Sequence, residues 1–351
     1  MTMERFAVDE GGYTGFDLMN AEQRFQGASA ISISDDEAKR LIKEHFPKLQ
    51  APELKYGTLA RRTNNRERLI SLQKDVLAHH KCVTYICDKR FLLILMFLDY
   101  ATEPWYHKRG ANFYEDGQNY AMASLLHYIG PSMMGKATFE GILAAFQSAV
   151  KEKTPEALKE LVLRVRRSKW EETLAEGLGP IAMASPECLS AITVPDVSTD
   201  AAIVVLHSLI SRMEIMADGP YRVEHDRSKN LLQYNVLLQR LIDHDETIEF
   251  TQTQIARIKF PLKLSEVTQA DSKDSPSVQL ADALIGAAIE AGNMLTGQRA
   301  AEIDPKRVLS LYRDDQFIHL IPSIDFEEQK KFREGTQADE VIEYFGRHFY
   351  K

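Results

Sequence analysis

The sequence predicts an α/β protein, and three observations carry that expectation. Short alternating or apolar segments suited to strands lie at both ends of the chain. A block of more than a hundred residues with sustained helical spacing separates them. Glycine and proline gather at the joints between segments within that block. At 351 residues, with 44% hydrophobic and 27% charged residues, the chain is long enough for one enlarged domain or two.

Residues 5–9 form a short strand that stops at Gly11–Gly12, a strong turn signal. Residues 25–34, which contain ASAISIS, alternate small or apolar with polar positions and predict a second strand. Asp35 or Asp36 then caps a helix to about His45, before Pro47. Residues 67–77 predict a helix, and CVTYIC at 82–87 predicts a buried strand rich in β-formers. From 91 to 216 the spacing is helical, most clearly at 121–128, 139–150, 155–174 and 201–216. Pro155 suits the first turn of its helix, with Thr154 as cap.

Strand character resumes at 221–226, and LLQYNVLLQRL gives the following helix, 229–243, one apolar face. Residues 248–250 and 255–264 predict two further strands. A polar loop at 269–277 leads into a helix of small residues at 278–291, which Gly292 is expected to stop. A last helix is expected near 339–349. The domain reading is an α/β core of residues 1–90 and 218–351, interrupted by a helical insertion at 91–217 that either packs on the core or folds as its own unit.

Several classes are disfavoured. The longest apolar run, Phe91 to Leu98, is too short to span a bilayer, and MTMERFAVDE places acids where a secretory signal has an apolar core. The expectation is a cytoplasmic protein with no membrane partner. Cys82, Cys87 and Cys188 form no CxxC pair, so buried thiols are expected in place of disulfides or a cysteine zinc site. His79 and His80 are helix neighbours and point apart. The net charge of −8 argues against a wholly basic nucleic-acid-binding surface. Between Lys55 and Arg90, however, nine Lys/Arg face three Asp/Glu. Arg164, Arg166, Arg167 and Lys169 form a second basic cluster. Both clusters also fit ordinary solvated helix faces, but two basic patches beside an acidic site would suit a polyanion.

Four motifs offer chemistry. AVDEGGYTG (7–15) puts an acid at the end of an apolar strand before a Gly-rich turn, where open α/β sheets place active sites. Alternation sends Asp9 and Glu10 to opposite faces, and Asp9 is the favoured acid. In QLADALIGAA (279–288), Gln279, Asp282 and Gly286 share a helix face, and an aspartate among small apolar residues needs a partner, a cation included. In YRVEHDRSKN (221–230), Glu224 and Asp226 point the same way, and Asp226 also suits a helix cap. PELKYGTL (52–59) carries Glu53 and Lys55 before a glycine turn. Each has a purely structural reading as well: a turn acid, a dipole-stabilised helix residue, or a cap.

Together the DEGG turn, ELKYG, the HDRS junction, the Asp271-Ser272-Lys273 loop and QLAD resemble the "domain of unknown function 3800" family, over about 1–90 and 218–295. The resemblance implies a ribonuclease-H-like mixed sheet with flanking helices, here with a large all-helical insertion. It also implies a metal site at Asp9, Asp226 and Asp282, and implicates Glu53 of ELKYG beside them. Gly11 stands where the family's first motif usually has serine.

The leading expectation is a metal-dependent nuclease that hydrolyses phosphodiesters of RNA or DNA, with Mg or Mn held by these carboxylates. Lys55 and Lys273 would contact the phosphate. No P-loop, GxSxG or HExxH motif offers a rival centre. The alternative is a non-catalytic binding or regulatory protein on the same fold, with the helical insertion as its protein-partner surface.

Overall fold

Side-chain alternation builds a central sheet whose two faces are covered by different parts of the chain. The computed structural model describes residues 3–114, 117–171, 174–195, 197–227, 234–253, 256–331 and 336–349. The strands are β1 (Glu4–Gly11), β2 (Phe25–Ser32), β3 (Lys81–Asp88), β4 (Tyr221–Asp226), β5 (Ile248–Thr253), β6 (Ala256–Phe260), β7 (Leu264–Ala270) and β8 (Phe317–Leu320). Six of them form one mixed sheet in the order β7-β4-β1-β2-β3-β8, while β5 and β6 make a separate hairpin. β1, β2 and β3 run as an antiparallel meander, whereas β4 is parallel to β1, β7 to β4, and β8 to β3. The fold is thus α/β.

On one face, Ala7, Ile31 and Cys82 share a core with the helices Asp35–His45, Thr63–His79 and Pro276–Leu295. On the other, Phe6, Val8, Ala30, Val83, Tyr85 and Tyr221 share a core with the helices between β3 and β4. That connecting segment holds eight helices among the described residues, from Lys89–Ala101 to Ala201–Met216, and contributes no strand. Its buried residues share one core with that face of the sheet. Its first helix is capped by Asp88, whose carboxylate accepts from the N–H groups of Arg90 and Phe91 and also pairs with Arg24 at 2.6 Å. Thr154 caps the helix that starts with Pro155 by accepting from Ala157 N–H.

Several boundaries differ from expectation. Ser34, not Asp35 or Asp36, caps the Asp35–His45 helix, because Asp35 is engaged with Arg5 at 2.7 Å. The helix expected at 155–174 ends at Arg166. The single strand expected at 255–264 is split: β6 pairs with β5, and after Pro261 the chain enters β7, which lies beside β4 in the main sheet. The expected loop at 269–277 shrinks accordingly, since β7 runs to Ala270 and the next helix starts at Pro276. Gly292 does not stop that helix, which continues to Leu295. The Phe25 ring lies about 3.2 Å from where a Gly292 side chain would start, so a close contact explains the glycine. The first part of the helix expected at 229–243 lies outside the described residues; Asn235–Ile242 is helical.

All three cysteines are buried and free. Among the described residues, no helix is long and apolar enough to cross a membrane. The basic cluster at Arg164, Arg166, Arg167 and Lys169 ends a helix that packs into the layer opposite Asp9, so it does not flank the acidic motifs.

Candidate metal centre

The sheet register sets the first two acids side by side. β1 and β4 are parallel, with Ala7 opposite Glu224 and Val8 opposite His225, so the next pair on the Ala7 face is Asp9 and Asp226. Both emerge at the C-terminal ends of adjacent parallel strands. Glu224 shares their face one step back, but Arg5 takes it at 3.1 Å and Ser275 donates to it at 3.0 Å. That assignment leaves Asp226 as the acid of YRVEHD that faces the site.

The third acid arrives on the Pro276–Leu295 helix, which lies across β1 and β2 because small residues let it approach. A side-chain carbon on Gly11 would stand 2.6 Å from Ile289, and one on Gly27 would stand 3.0 Å from Ile285. Asp282 therefore lies on the Asp9 face. Gly286, one turn further, leaves room for the Tyr56 ring, 2.7 Å from where its Cβ would be. Tyr56 in turn donates its backbone N–H to Asp282 Oδ2 at 2.8 Å.

The motifs are joined to one another by their own side chains. Gln279 accepts the Leu54 N–H at 2.8 Å and donates to the Ser272 carbonyl at 2.6 Å, which fixes ELKYG and the Asp271-Ser272-Lys273 loop to the QLAD helix. Ser272 donates its N–H to Asp226 Oδ1 at 3.1 Å and its hydroxyl to Glu53 Oε2 at 3.0 Å. Lys55 lies 3.7 Å from Glu53. Lys273 is exposed on the loop. Sequence reading singled out Asp282, Glu53 and Lys55 but missed Gln279 and Ser272 as clamps. The three-residue spacing of Gln279 and Asp282 on one helix face was the signal for the first.

The electrostatics follow from this convergence. Asp9 is 6% exposed, and burial first, then the charges of Asp282 and Asp226, push its pKa up to about 8. Lys55 and the Glu10 N–H act the other way. Burial also raises Asp282, offset in part by the Tyr56 N–H and Lys55, while Glu53 and Asp226 add to the rise. Burial alone lowers the Lys55 ammonium, yet Asp282, Asp9, Glu53 and Asp226 outweigh it and hold its pKa above the ordinary value. Four carboxyl groups thus face one lysine. Asp9 keeps its proton near neutrality chiefly because it is buried and secondarily because Asp282 and Asp226 face it, and a divalent cation would relieve the second cause. The all-oxygen donor set suits Mg or Mn. The three aspartates do not bring their oxygens all within 4.8 Å of one another.

Behind Asp9, the loop that follows β1 is anchored by a fully buried lysine. Lys89 donates to the Gly12 carbonyl at 2.9 Å and to Thr14 Oγ1 at 2.7 Å, and burial lowers its pKa to about 8. Gly12 has a φ of +75°, and a side chain there would collide with the Phe25 carbonyl at 1.9 Å. Tyr13 donates to Asp200, the cap of the Ala201–Met216 helix, at 2.8 Å, so the Gly-rich loop is tied to the helical insertion. A cavity of about 930 Å³ lies elsewhere, between the Ala201–Met216 helix, β8 and the C-terminal helix Ala338–His348, and none of the four acids lines it.

In comparisons with protein-family models, curated proteins and solved structures, nothing matches this chain.

Proposed function

We propose that the protein is a metal-dependent phosphodiesterase acting on nucleic acid, built on a ribonuclease-H-like fold. The observation that carries the reading is the convergence of Asp9, Asp226 and Asp282, with Glu53 and Lys55 beside them, on one face of the sheet. The strand order β3-β2-β1-β4-β7, an antiparallel meander extended by two parallel strands, supports the fold assignment. The junction of β1 and β4 at their C-terminal ends is also where an α/β sheet offers a site.

Asp9, Asp226 and Asp282 would hold Mg or Mn, with Glu53 within reach of the same cluster. Bound there, such a cation aligns water and offsets charge on the scissile phosphate. The chain's own residues prepare the site. Ser272 orients Asp226 and Glu53 together, and the Tyr56 N–H orients Asp282. Lys55, half-buried and kept charged by its acidic neighbours, is placed to meet a phosphate oxygen. Arg61 and Arg62 are exposed just beyond it and extend a basic approach that a polyanion would follow. Lys273 lies on the loop that clamps Asp226 and is exposed to the same substrate.

The test is a panel of single- and double-stranded RNA, DNA and hybrid, incubated with the full chain and manganese or magnesium. The expected result is cleavage that needs the metal and disappears in Asp9→Asn with Asp282→Asn. Metal-dependent binding without cleavage by the wild type, or cleavage that persists in the double variant, would overturn the assignment.

A further inference from the structure

We propose a second metal site, of a different chemical class and independent of the carboxylate centre: His244, Glu246 and His348 bind a zinc-class transition-metal ion that fastens the C-terminal helix to the β5–β6 hairpin. His244 Nε2 and His348 Nε2 each lie 3.8 Å from Glu246 Oε2, and all three ligand atoms fall within 4.8 Å of one another. With zinc–ligand bonds of about 2.0–2.1 Å, adjacent ligands of a tetrahedral ion stand roughly 3.3–3.4 Å apart. Each histidine therefore needs to close on Glu246 by about half an ångström, and the two histidines, within 4.8 Å of each other, by up to about 1.4 Å, within reach of side-chain torsions.

The rings are held in place for this. His348 stacks on Tyr344 with centroids 4.3 Å apart, and His244 packs edge-on to Phe260 and Phe349 at 5.0 Å. The Tyr344 hydroxyl donates to Glu246 Oε2 at 2.9 Å and also contacts His244 Nε2, so it accepts from the His244 N–H. A cation takes the place of that hydrogen bond at His244 Nε2: the ring proton moves to Nδ1, and the Tyr344 hydroxyl swings off His244 while it keeps its hydrogen bond to Glu246 and orients the carboxylate. Two imidazoles and one carboxylate leave a fourth position for water. Such a set favours zinc over magnesium, which prefers oxygen alone.

The placement gives the site a role. His244 and Glu246 lie between the Asn235–Ile242 helix and β5, and His348 is the last residue of the Ala338–His348 helix. Phe250, Ile258, Phe260, Tyr344, Phe345 and Phe349 form a small core beneath them, separate from the two cores of the main sheet. A metal across residues about a hundred positions apart closes this satellite unit as a clip closes a long loop.

The experiment is calorimetric titration of the full chain with zinc alone and with magnesium alone, repeated on variants. The expected result is one zinc per chain, bound more tightly than magnesium, retained in Asp9→Asn with Asp282→Asn, and lost in His348→Ala and in Glu246→Gln. His348 and Glu246 are partly exposed, so these variants keep the fold. Tyr344→Phe should weaken zinc about 10–100-fold. Zinc should also slow proteolytic release of the C-terminal helix in the wild type and have no such effect in His348→Ala. Equal zinc affinity in wild type and His348→Ala, or zinc binding that vanishes only in the aspartate variant, would overturn the proposal. So would a wild type that binds no zinc.

Discussion

Replacing Asp9 by asparagine removes a group that the folded protein holds protonated near neutrality, and the consequence is an increase in stability without metal. The Asp9 carboxyl has a pKa of about 8 in the folded chain against 3.8 when free. A raised folded-state value means that its contribution to stability is fully present below 3.8 and is lost as pH rises through about 8. Over that window the unfolded state releases a proton that the folded state keeps. At about 1.4 kcal/mol for each tenfold difference, the wild type gives up on the order of 4 kcal/mol by pH 7 and under about 2 kcal/mol by pH 5. Both are upper limits, since water entering the cleft screens the acids. The neutral amide of the Asp9→Asn variant carries no such cost. Thermal melts in a chelator should show this variant close to wild type near pH 4 and more stable by several degrees at pH 8, at roughly 2 °C or less per kcal/mol for a chain of this size. A variant less stable than wild type at pH 8, or a wild type whose melting temperature is flat from pH 5 to 8, would refute the reasoning.

Three other perturbations act on the frame around the acids. Gln279→Ala strands the Leu54 N–H and the Ser272 carbonyl and should cost about 2–4 kcal/mol, with weaker manganese binding, measured by urea unfolding and titration. Gly286→Ala gains about 1 kcal/mol of helix propensity but drives a methyl into the Tyr56 ring at 2.7 Å, so the net effect is a loss of stability and of metal affinity, read by the same two measurements. Lys55→Met removes the cation that faces four acids. Its melting temperature should fall in a chelator at pH 8 and recover in manganese more than the wild type's does.

How much of this was legible in the sequence depended on whether one face of an element is buried. β1 to β3 were readable because Ala7, Val8, Ala30, Ile31 and Val83 are packed on both sides and leave an apolar run, and β4 because Tyr221 and Val223 alternate with more exposed residues. β7 was hidden because LSEVTQA lies at the sheet edge, with Ser265, Glu266 and Gln269 exposed, and carries almost no hydrophobic signal. β8, FIHL, is only four residues long and has no period to detect. Gly292 looked like a helix stop because a terminating glycine and one that admits the Phe25 ring are the same letter. At the site, Asp9 and Asp282 stood out because one sits at a strand end and the other among small residues where a charge is out of place. Asp226 was separated from Glu224 only by the resemblance of the motifs to a known family. Their convergence depends on a β1–β4 pairing across more than two hundred residues, which local pattern does not carry. His244, Glu246 and His348 gave no sequence signal, since their spacing fits no short metal motif and closes only through the tertiary fold.

The most direct test of the central claim, that Asp9, Asp226 and Asp282 form one cation-binding centre, is a manganese titration followed by the paramagnetic resonance of free Mn²⁺. It should be run at pH 8, where the Asp9 proton is readily displaced, on the wild type and on Asp9→Asn, Asp226→Asn and Asp282→Asn separately. The account predicts saturable binding by the wild type and a large loss of affinity in every single variant, because each removes a charge from the same centre. Wild-type affinity in any one of the three, or no saturable binding at all, would contradict it.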